Sequence, residues 1–224
     1  MELTASKIMN SKEYWDNAAG NKKFTVPPDL SLLKRLLRHD AVILDFGCGY
    51  GRILGELKKS GYLKLYGSDI SPKMIEEASR EFPDAVFKVN DGTEIPFEDS
   101  FFDCVILFAV LTCLPEDAAQ EKLISEISRV LKPEGILYIG DFMINTDERN
   151  YKRYENILKR NLPFPYGVFE VEGNVFLRHH SREWLEELTC PFREIMFRES
   201  VFTTMNGHES AGFYYIGEKI SLAF

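Results

Sequence analysis

Cysteine is scarce in this chain: four in 224 residues, at positions 48, 104, 113 and 190, none in a C-x-x-C pair. That spacing excludes the paired-cysteine zinc motifs and offers no framework of disulfides. Cys48 stands among glycines and Cys104 in an apolar run, so four reduced thiols in an intracellular protein are expected. No uninterrupted apolar stretch approaches the ~20 residues of a membrane-spanning helix. The start, Met1-Glu-Leu-Thr-Ala-Ser-Lys7, lacks the apolar core of a secretory leader, and a cytoplasmic location is expected. Positive charge is also short: 27 Lys and Arg stand against 35 Asp and Glu, a formal net charge of −8. A general nucleic-acid binder needs a basic footprint, so no nucleic-acid partner is expected beyond what a local patch allows. Internal repeats and low-complexity tracts are absent.

What is present is enough apolar material, 45% of residues, for one sizeable core rather than two full domains. Its centre is Val42-Ile-Leu-Asp-Phe-Gly-Cys-Gly-Tyr-Gly-Arg52. An apolar run halted by glycines and followed by a helical pattern reads as a buried strand meeting a tight turn. Glycine takes positive φ and lets backbone N–H groups come close to a ligand. The turn feeds a helix start, where free N–H groups and the dipole favour negative charge. Dinucleotide-binding loops use G-x-G-x-x-G/A, with a small third residue for close packing. Here Arg52 occupies that third position, and Asp45 just before the turn is poorly placed beside a pyrophosphate. An acid there suits a ligand with a cationic amine.

Along the chain, an N-terminal arm over 1–40 begins with a helix, carrying Tyr14-Trp15-Asp16 and ending at Gly20. Tyr14 and Trp15 either pack the arm onto the core or line a pocket that it covers. Pro27-Pro28 opens a second helix with Leu30, Leu33, Leu36 and Leu37 on one face. After the glycine turn, Ile53, Leu54 and Leu57 mark a helix stopped by Gly61. Leu63 to Asp69 is a second strand ending in an acid, and Ser71-Pro72 caps the next helix, which runs to about Phe82. Asp69 lies about 20 residues beyond the turn, where a ribose-binding carboxylate is expected; the plain alternative is a solvated loop acid. A third strand ends at Asp91-Gly92, and Ser100 to Phe108 reads as a central parallel strand. Leu123, Ile124, Ile127, Val130 and Leu131 stripe a helix ended by Lys132-Pro133-Glu-Gly135, and a fifth strand closes at Asp141. Strands alternating with helices predict a doubly wound parallel sheet with right-handed crossovers. Residues 142–180 break the pattern: 147–160 reads as a charged helix, and 161–178 as an aperiodic segment that covers something. A capped helix from Ser181 and two strands about Asn206-Gly207, a hairpin signal, complete 181–224.

The ordered set Asp45-Phe-Gly-Cys-Gly-Tyr-Gly51, Gly67-Ser-Asp69-Ile-Ser-Pro72, Asn90-Asp91-Gly92, Phe101-Phe-Asp103 and Ser128-Arg-Val-Leu-Lys-Pro-Glu-Gly135 resembles the class I S-adenosylmethionine-dependent methyltransferases, in their small-molecule, ubiquinone-biosynthesis-like form. The resemblance is strong over about 41–141 and loose elsewhere. It implies an α/β, Rossmann-like, doubly wound seven-stranded sheet with an antiparallel last strand and helices on both faces. Within one domain over 1–224, it implies a cofactor-binding core at 41–141 and a substrate-side lid at 142–180. The implied cofactor is S-adenosyl-L-methionine (SAM). Asp45 and Gly47 would face its amine, with Cys48 and Gly49 in the turn. Asp69 would take the ribose hydroxyls, Ile70 the adenine face, and Asp91 and Gly92 the adenine edge. Phe108 would pass the methionine part, and Tyr14 and Trp15 would close the pocket. No polar catalytic residue carries over from Val110-Leu-Thr-Cys-Leu114.

Methyl transfer from a sulfonium is an in-line displacement in which alignment and desolvation carry much of the work. A base is needed only where the acceptor keeps its proton. His179, His180, Tyr151 and Tyr154 are candidates on the substrate side, against a bland reading in which they pack or are solvated. The histidine pair has no third ligand at a recognisable metal spacing, so no metal is expected. Arg149, Arg153 and Arg178 stand where an anionic substrate would meet them, or form a solvated face. A small-molecule acceptor is the expected partner. The alternatives are a methyltransferase fold without catalysis that serves as a binding protein, and a nicotinamide-dependent oxidoreductase.

Overall fold

A computed structural model describes residues 11–20, 24–172 and 174–221. Residues 11–18 form helix α1; the parts of the expected arm at 1–10 and 21–23 lie outside the described residues. The leucine-rich stretch after Pro27-Pro28 corrects the sequence reading. Only one turn, α2 (Leu33–Leu36), is helical, and Leu36 is 38% exposed while Leu33 is buried. The cause is long-range capture of the backbone before it. The Tyr138 hydroxyl accepts from Asp29 N and donates to Asp29 O, both at 3.0 Å, Tyr214 Oη donates to Pro27 O at 2.7 Å, and Arg52 donates to Val26 O at 2.5 Å. Carbonyls held this way are unavailable to a helix.

The core then follows the expected alternation. Strand β1 (Val42–Phe46) leads to α3 (Arg52–Lys59), and β2 (Lys64–Asp69) to α4 (Pro72–Glu81). The Ser71 hydroxyl caps α4 by accepting from Met74 N at 3.2 Å. Strand β3 (Val86–Val89) is a short edge, and β4 (Phe102–Phe108) is buried nearly throughout. A 3₁₀ turn (Leu111–Cys113) precedes α5 (Asp117–Val130) and β5 (Leu131–Phe142). Leu131, expected on the helix, instead begins β5 opposite Phe102. After β5 come α6 (Glu148–Lys159), then β6 (Val168–Val171) and β7 (Val175–Arg178), which pair antiparallel in a sheet of their own. The aperiodic segment is thus a small hairpin. Helix α7 (Arg182–Leu188) precedes β8 (Phe192–Thr203) and β9 (Glu209–Lys219).

The main sheet has seven strands in the order β3-β2-β1-β4-β5-β9-β8, with β9 antiparallel to both neighbours. Alternation along each central strand feeds two separate cores. Leu44, Val105, Leu107, Leu137, Ile139 and Phe213 face α5 and α7, while Ile43, Ile106, Tyr138 and Ile216 face α2 and α3. Burial on both faces is what an apolar strand such as β4 requires. The strand order reverses between β1 and β4, so the loops there part and leave a crevice at the carboxyl ends of the strands.

Candidate active site

The crevice holds a cavity of about 230 Å³. Its first end is built at the tips of β1, β2 and β3. Gly47 N and Cys48 N donate to Ser68 O at 2.7 and 3.1 Å, which ties the glycine turn to β2. Gly49 N donates to Asp69 Oδ2 at 2.8 Å, and Ser71 N to Asp69 Oδ1 at 2.9 Å. Gly47 and Gly49 have φ of +74° and +53°. A Cβ on the first would sit 2.4 Å from Val110, and on the second 2.3 Å from Phe24, so the turn is a cradle that only glycine leaves open. Burial raises the Asp69 pKa, and its N–H donors oppose that shift.

Of the sequence candidates, Tyr14, Trp15, Gly47, Cys48, Asp69, Ile70, Gly92 and Phe108 line this cavity. Gly49 and Asp45 are not among its lining residues, though both adjoin residues that are. Asp45 is buried with Oδ2 unpartnered, and burial raises its pKa to about 7 against the opposing Arg52 charge. Asp91 points elsewhere: its Oδ1 accepts from Thr93 N at 3.1 Å and Glu94 N at 2.8 Å, and Asn90 takes the place on the wall. Among the described residues of the arm, Ser11, Tyr14, Trp15, Phe24, Thr25 and Val26 line the cavity. Asp16 Oδ1 accepts from Ser71 Oγ at 2.5 Å, and Trp15 meets Phe24, which stacks on Tyr50 at 5.2 Å.

The other end of the cavity comes from the 3₁₀ turn, α6, the small hairpin and the β8–β9 turn. Asp141 holds the 3₁₀ turn from beneath, accepting from Thr112 N at 3.2 Å; burial raises its pKa to about 7. Ala109, before that turn, has a φ of +55°. Phe169, Val171, Leu177 and His179 share the cavity-facing side of the hairpin and its continuation. That period of two separates the two histidines. His179 reaches the cavity, whereas His180 is fully buried behind it. Its Nδ1 lies 3.1 Å from Phe142 O, and its Nε2 2.9 Å from Gln120 Nε2, so His180 is a structural post rather than a base. Burial, then the Arg178 charge, lowers its pKa to about 3. Tyr151 is 53% exposed and away from the cavity wall, which removes it as a candidate. Arg178 is also removed: its guanidinium is buried over Trp184 and pairs with Asp117 at 2.6 Å.

The His179 hydrogen bonds fix its tautomer. The Tyr154 hydroxyl lies 2.6 Å from Nδ1 and accepts from Asn145 N at 3.3 Å. Among the described residues, the hydroxyl proton has no acceptor other than Nδ1. The Asn145 amide orientation is set because its Oδ1 accepts from Ala211 N at 2.8 Å, and its Nδ2, a donor, lies 3.4 Å from the same Nδ1. Nδ1 therefore accepts, and the ring proton sits on Nε2. Burial, reinforced by His180, Arg153 and Arg149, lowers the His179 pKa to about 3 and keeps the ring neutral.

Sequence reasoning missed the hairpin-turn residues Thr204, Met205, Asn206 and His208 on the wall, as well as Phe24, Phe142 and Phe169. Asn206-Gly207 signalled a turn but nothing about what the turn covers.

Residues 44–139 match a family model described as a methyltransferase domain. The chain is 32% identical over 162 residues to a demethylmenaquinone methyltransferase of Thermotoga maritima, covering 71% of this chain and 69% of that protein. It is 29% identical over 139 residues to the 27-O-demethylrifamycin SV methyltransferase of Amycolatopsis mediterranei, covering 58% of this chain and 50% of that one. A solved SAM-dependent methyltransferase from Methanosarcina mazei superposes with a TM-score of 0.79 at 29% identity, over 86% of this chain and 98% of that one. The chain spans about half, or less, of several further relatives. The matched range holds the glycine turn, Asp45 and Asp69, the fold shares the antiparallel last strand, and the chain belongs to the S-adenosylmethionine-dependent methyltransferases.

Proposed function

We propose that the chain transfers the SAM methyl group to a small-molecule acceptor held in the second half of the cavity. One observation carries this reading: a single cavity runs from the glycine turn to His179, joining a cofactor end to an acceptor end. Small-molecule acceptors are also what the names of the two methyltransferase relatives specify for those proteins. No helix among the described residues is long and apolar enough to cross a membrane.

The residues present suit SAM. The glycine cradle admits its backbone-hugging portion, and the spare lone pairs of Asp69 accept ribose hydroxyls. Ile70 and Gly92 flank adenine, with Tyr14 and Trp15 over the opening. Asp45 Oδ2 and Arg52 Nε are buried polar atoms without partners beneath the turn, an arrangement that matches the ammonium and carboxylate of an amino-acid tail. Bound there, SAM supplies a methyl group already activated by its sulfonium. The chain aligns the acceptor, excludes water and presents the Nε2–H of His179 to an acceptor oxygen.

This makes His179 a donor rather than a base, and two substitutions separate the roles. His179→Gln keeps an N–H and is expected to hold kcat within about tenfold of the parent, while His179→Leu loses about a hundredfold. Equal losses in both variants would favour a base. Binding should also depend on pH through Asp45. Its pKa near 7 means that below neutrality the buried acid is protonated and must release a proton to face the amine. Affinity for S-adenosylhomocysteine is expected to rise from pH 5.5 to about 7 and then level off, whereas Asp45→Asn should bind weakly with a flat profile; calorimetry at several pH values checks this. The activity is tested by incubating the protein with SAM and fractionated metabolite extracts. Release of S-adenosylhomocysteine with a methylated small molecule supports the reading. Cofactor binding without turnover across the fractions points to a binding protein on the same fold.

A further inference from the structure

The acceptor half of the cavity has no carboxylate among its described wall residues. Asp69 is the only carboxylate among the described wall residues, and it belongs to the first half. The acceptor half holds Arg149, Arg153 and the Nε2–H of His179, with Phe142, Phe169, Val171 and Leu177 around them. These three groups are donors, and the neutral Thr204, Asn206, His208 and Ser210 complete the polar part of the wall. Arg153 is half-buried, its guanidinium 3.8 Å from the Phe169 ring centroid. Its protein hydrogen bond is to a neutral group, Asn150 Oδ1, at 3.3 Å, and no ion pair to it is found among the described residues. Arg149, one helical turn earlier, reaches Asp147 only at 3.9 Å. Asp147 is already engaged as the cap of α6, accepting from Asn150 N at 3.2 Å and Asn150 Nδ2 at 2.6 Å. Arg149 also sits in the first turn of α6, where the helix dipole opposes a cation. Nearby surface arginines differ: Arg160 pairs with Glu170, and Arg182 with Glu186 and Glu194. Arg153 has no carboxylate partner among the described residues, and Arg149 has only the long contact to Asp147, so both guanidinium groups on this wall are open to an anion from outside the chain.

We propose that the acceptor is a planar, conjugated carboxylic acid, whose carboxylate is held by Arg149 and Arg153 beside His179 and whose ring packs against Phe142, Phe169 and Leu177. The fork of Arg153, fixed by stacking, matches a carboxylate in the plane, and the aromatic walls take the flat body. The carboxylate serves as the anchor, and a separate atom of the acceptor receives the methyl group. This rests on the methyltransferase reading.

The test uses the full chain saturated with S-adenosylhomocysteine, probed by calorimetry with 2-naphthoate, its uncharged amide and inorganic phosphate. Naphthoate is expected to bind at least about tenfold more tightly than the amide. Arg153→Met, which keeps the stem on Phe169, and Arg149→Gln should each remove that preference while S-adenosylhomocysteine affinity stays unchanged. Equal binding of acid and amide, no binding of either, or a preference that survives both substitutions overturns the proposal. Phosphate bound in preference to naphthoate also overturns it, in favour of a phosphorylated acceptor. Failure of the parent chain to take up S-adenosylhomocysteine at the outset would count against the methyltransferase reading itself, and is read separately.

Discussion

Gly49→Val is expected to abolish measurable cofactor binding, a loss of more than about a hundredfold, while the chain still folds. Two effects combine. The φ of +53° is an outlier for any β-branched residue, and a Cβ there meets Phe24 at 2.3 Å. Phe24 has little room to retreat, since it stacks on Tyr50 with an interplanar angle of 4° and touches Trp15. Strain of about 1–3 kcal/mol falls on the turn at the carboxyl end of β1 rather than within the strands, so the melting transition should drop but stay cooperative. A control separates conformation from space. Gly61 has a φ of +92° with nothing closer than His39 at 3.8 Å, so Gly61→Ala is expected to cost stability and leave cofactor affinity intact. Calorimetry and thermal melts on both variants check the pair; a Gly49→Val protein that binds normally would remove the turn from the site.

Asp69→Ala is expected to weaken cofactor affinity by about 1–3 kcal/mol through lost charge-assisted hydrogen bonds, and to lower stability as well. The second effect follows from its place in the fold. The carboxylate accepts from Gly49 N and Ser71 N, so its removal frees one donor in the turn and another at the start of α4. Asp69→Asn keeps one acceptor oxygen and should recover part of the stability but little of the affinity. Titration and urea unfolding distinguish the two contributions; unchanged affinity in Asp69→Ala would reject the ribose assignment.

The parts of the molecule that could be read from the sequence are those fixed by local rules. Strand β1, the glycine turn and α3 are adjacent in the chain, and their apolar runs and glycines carry the burial and φ requirements directly. Ser71-Pro72 states its own helix start, and Asn206-Gly207 its own hairpin. Misreadings arose where distant groups decide. The leucines after Pro28 have helical spacing, but Tyr138 and Tyr214, more than a hundred residues away, take the preceding backbone groups. Lys132 to Gly135 look like a helix stop, yet the pairing of Leu131 with Phe102 makes them part of a strand. The acceptor end is the least legible because it is assembled from four separate segments. Adjacent His179 and His180 look equivalent on paper; strand alternation sends one to the cavity and the other to Gln120. Arg149, Arg153 and Arg178 likewise share a type, and only the fold supplies Asp117 to the last of them.

Titrating the purified chain with S-adenosylhomocysteine, and in parallel with NADH, tests the central claim most directly. Saturable one-to-one binding of the sulfur nucleoside, lost in Gly49→Val and weakened in Asp69→Ala, with no heat from NADH, is the expected result. NADH binding that is lost in the same variants, with no uptake of the sulfur nucleoside, would contradict it.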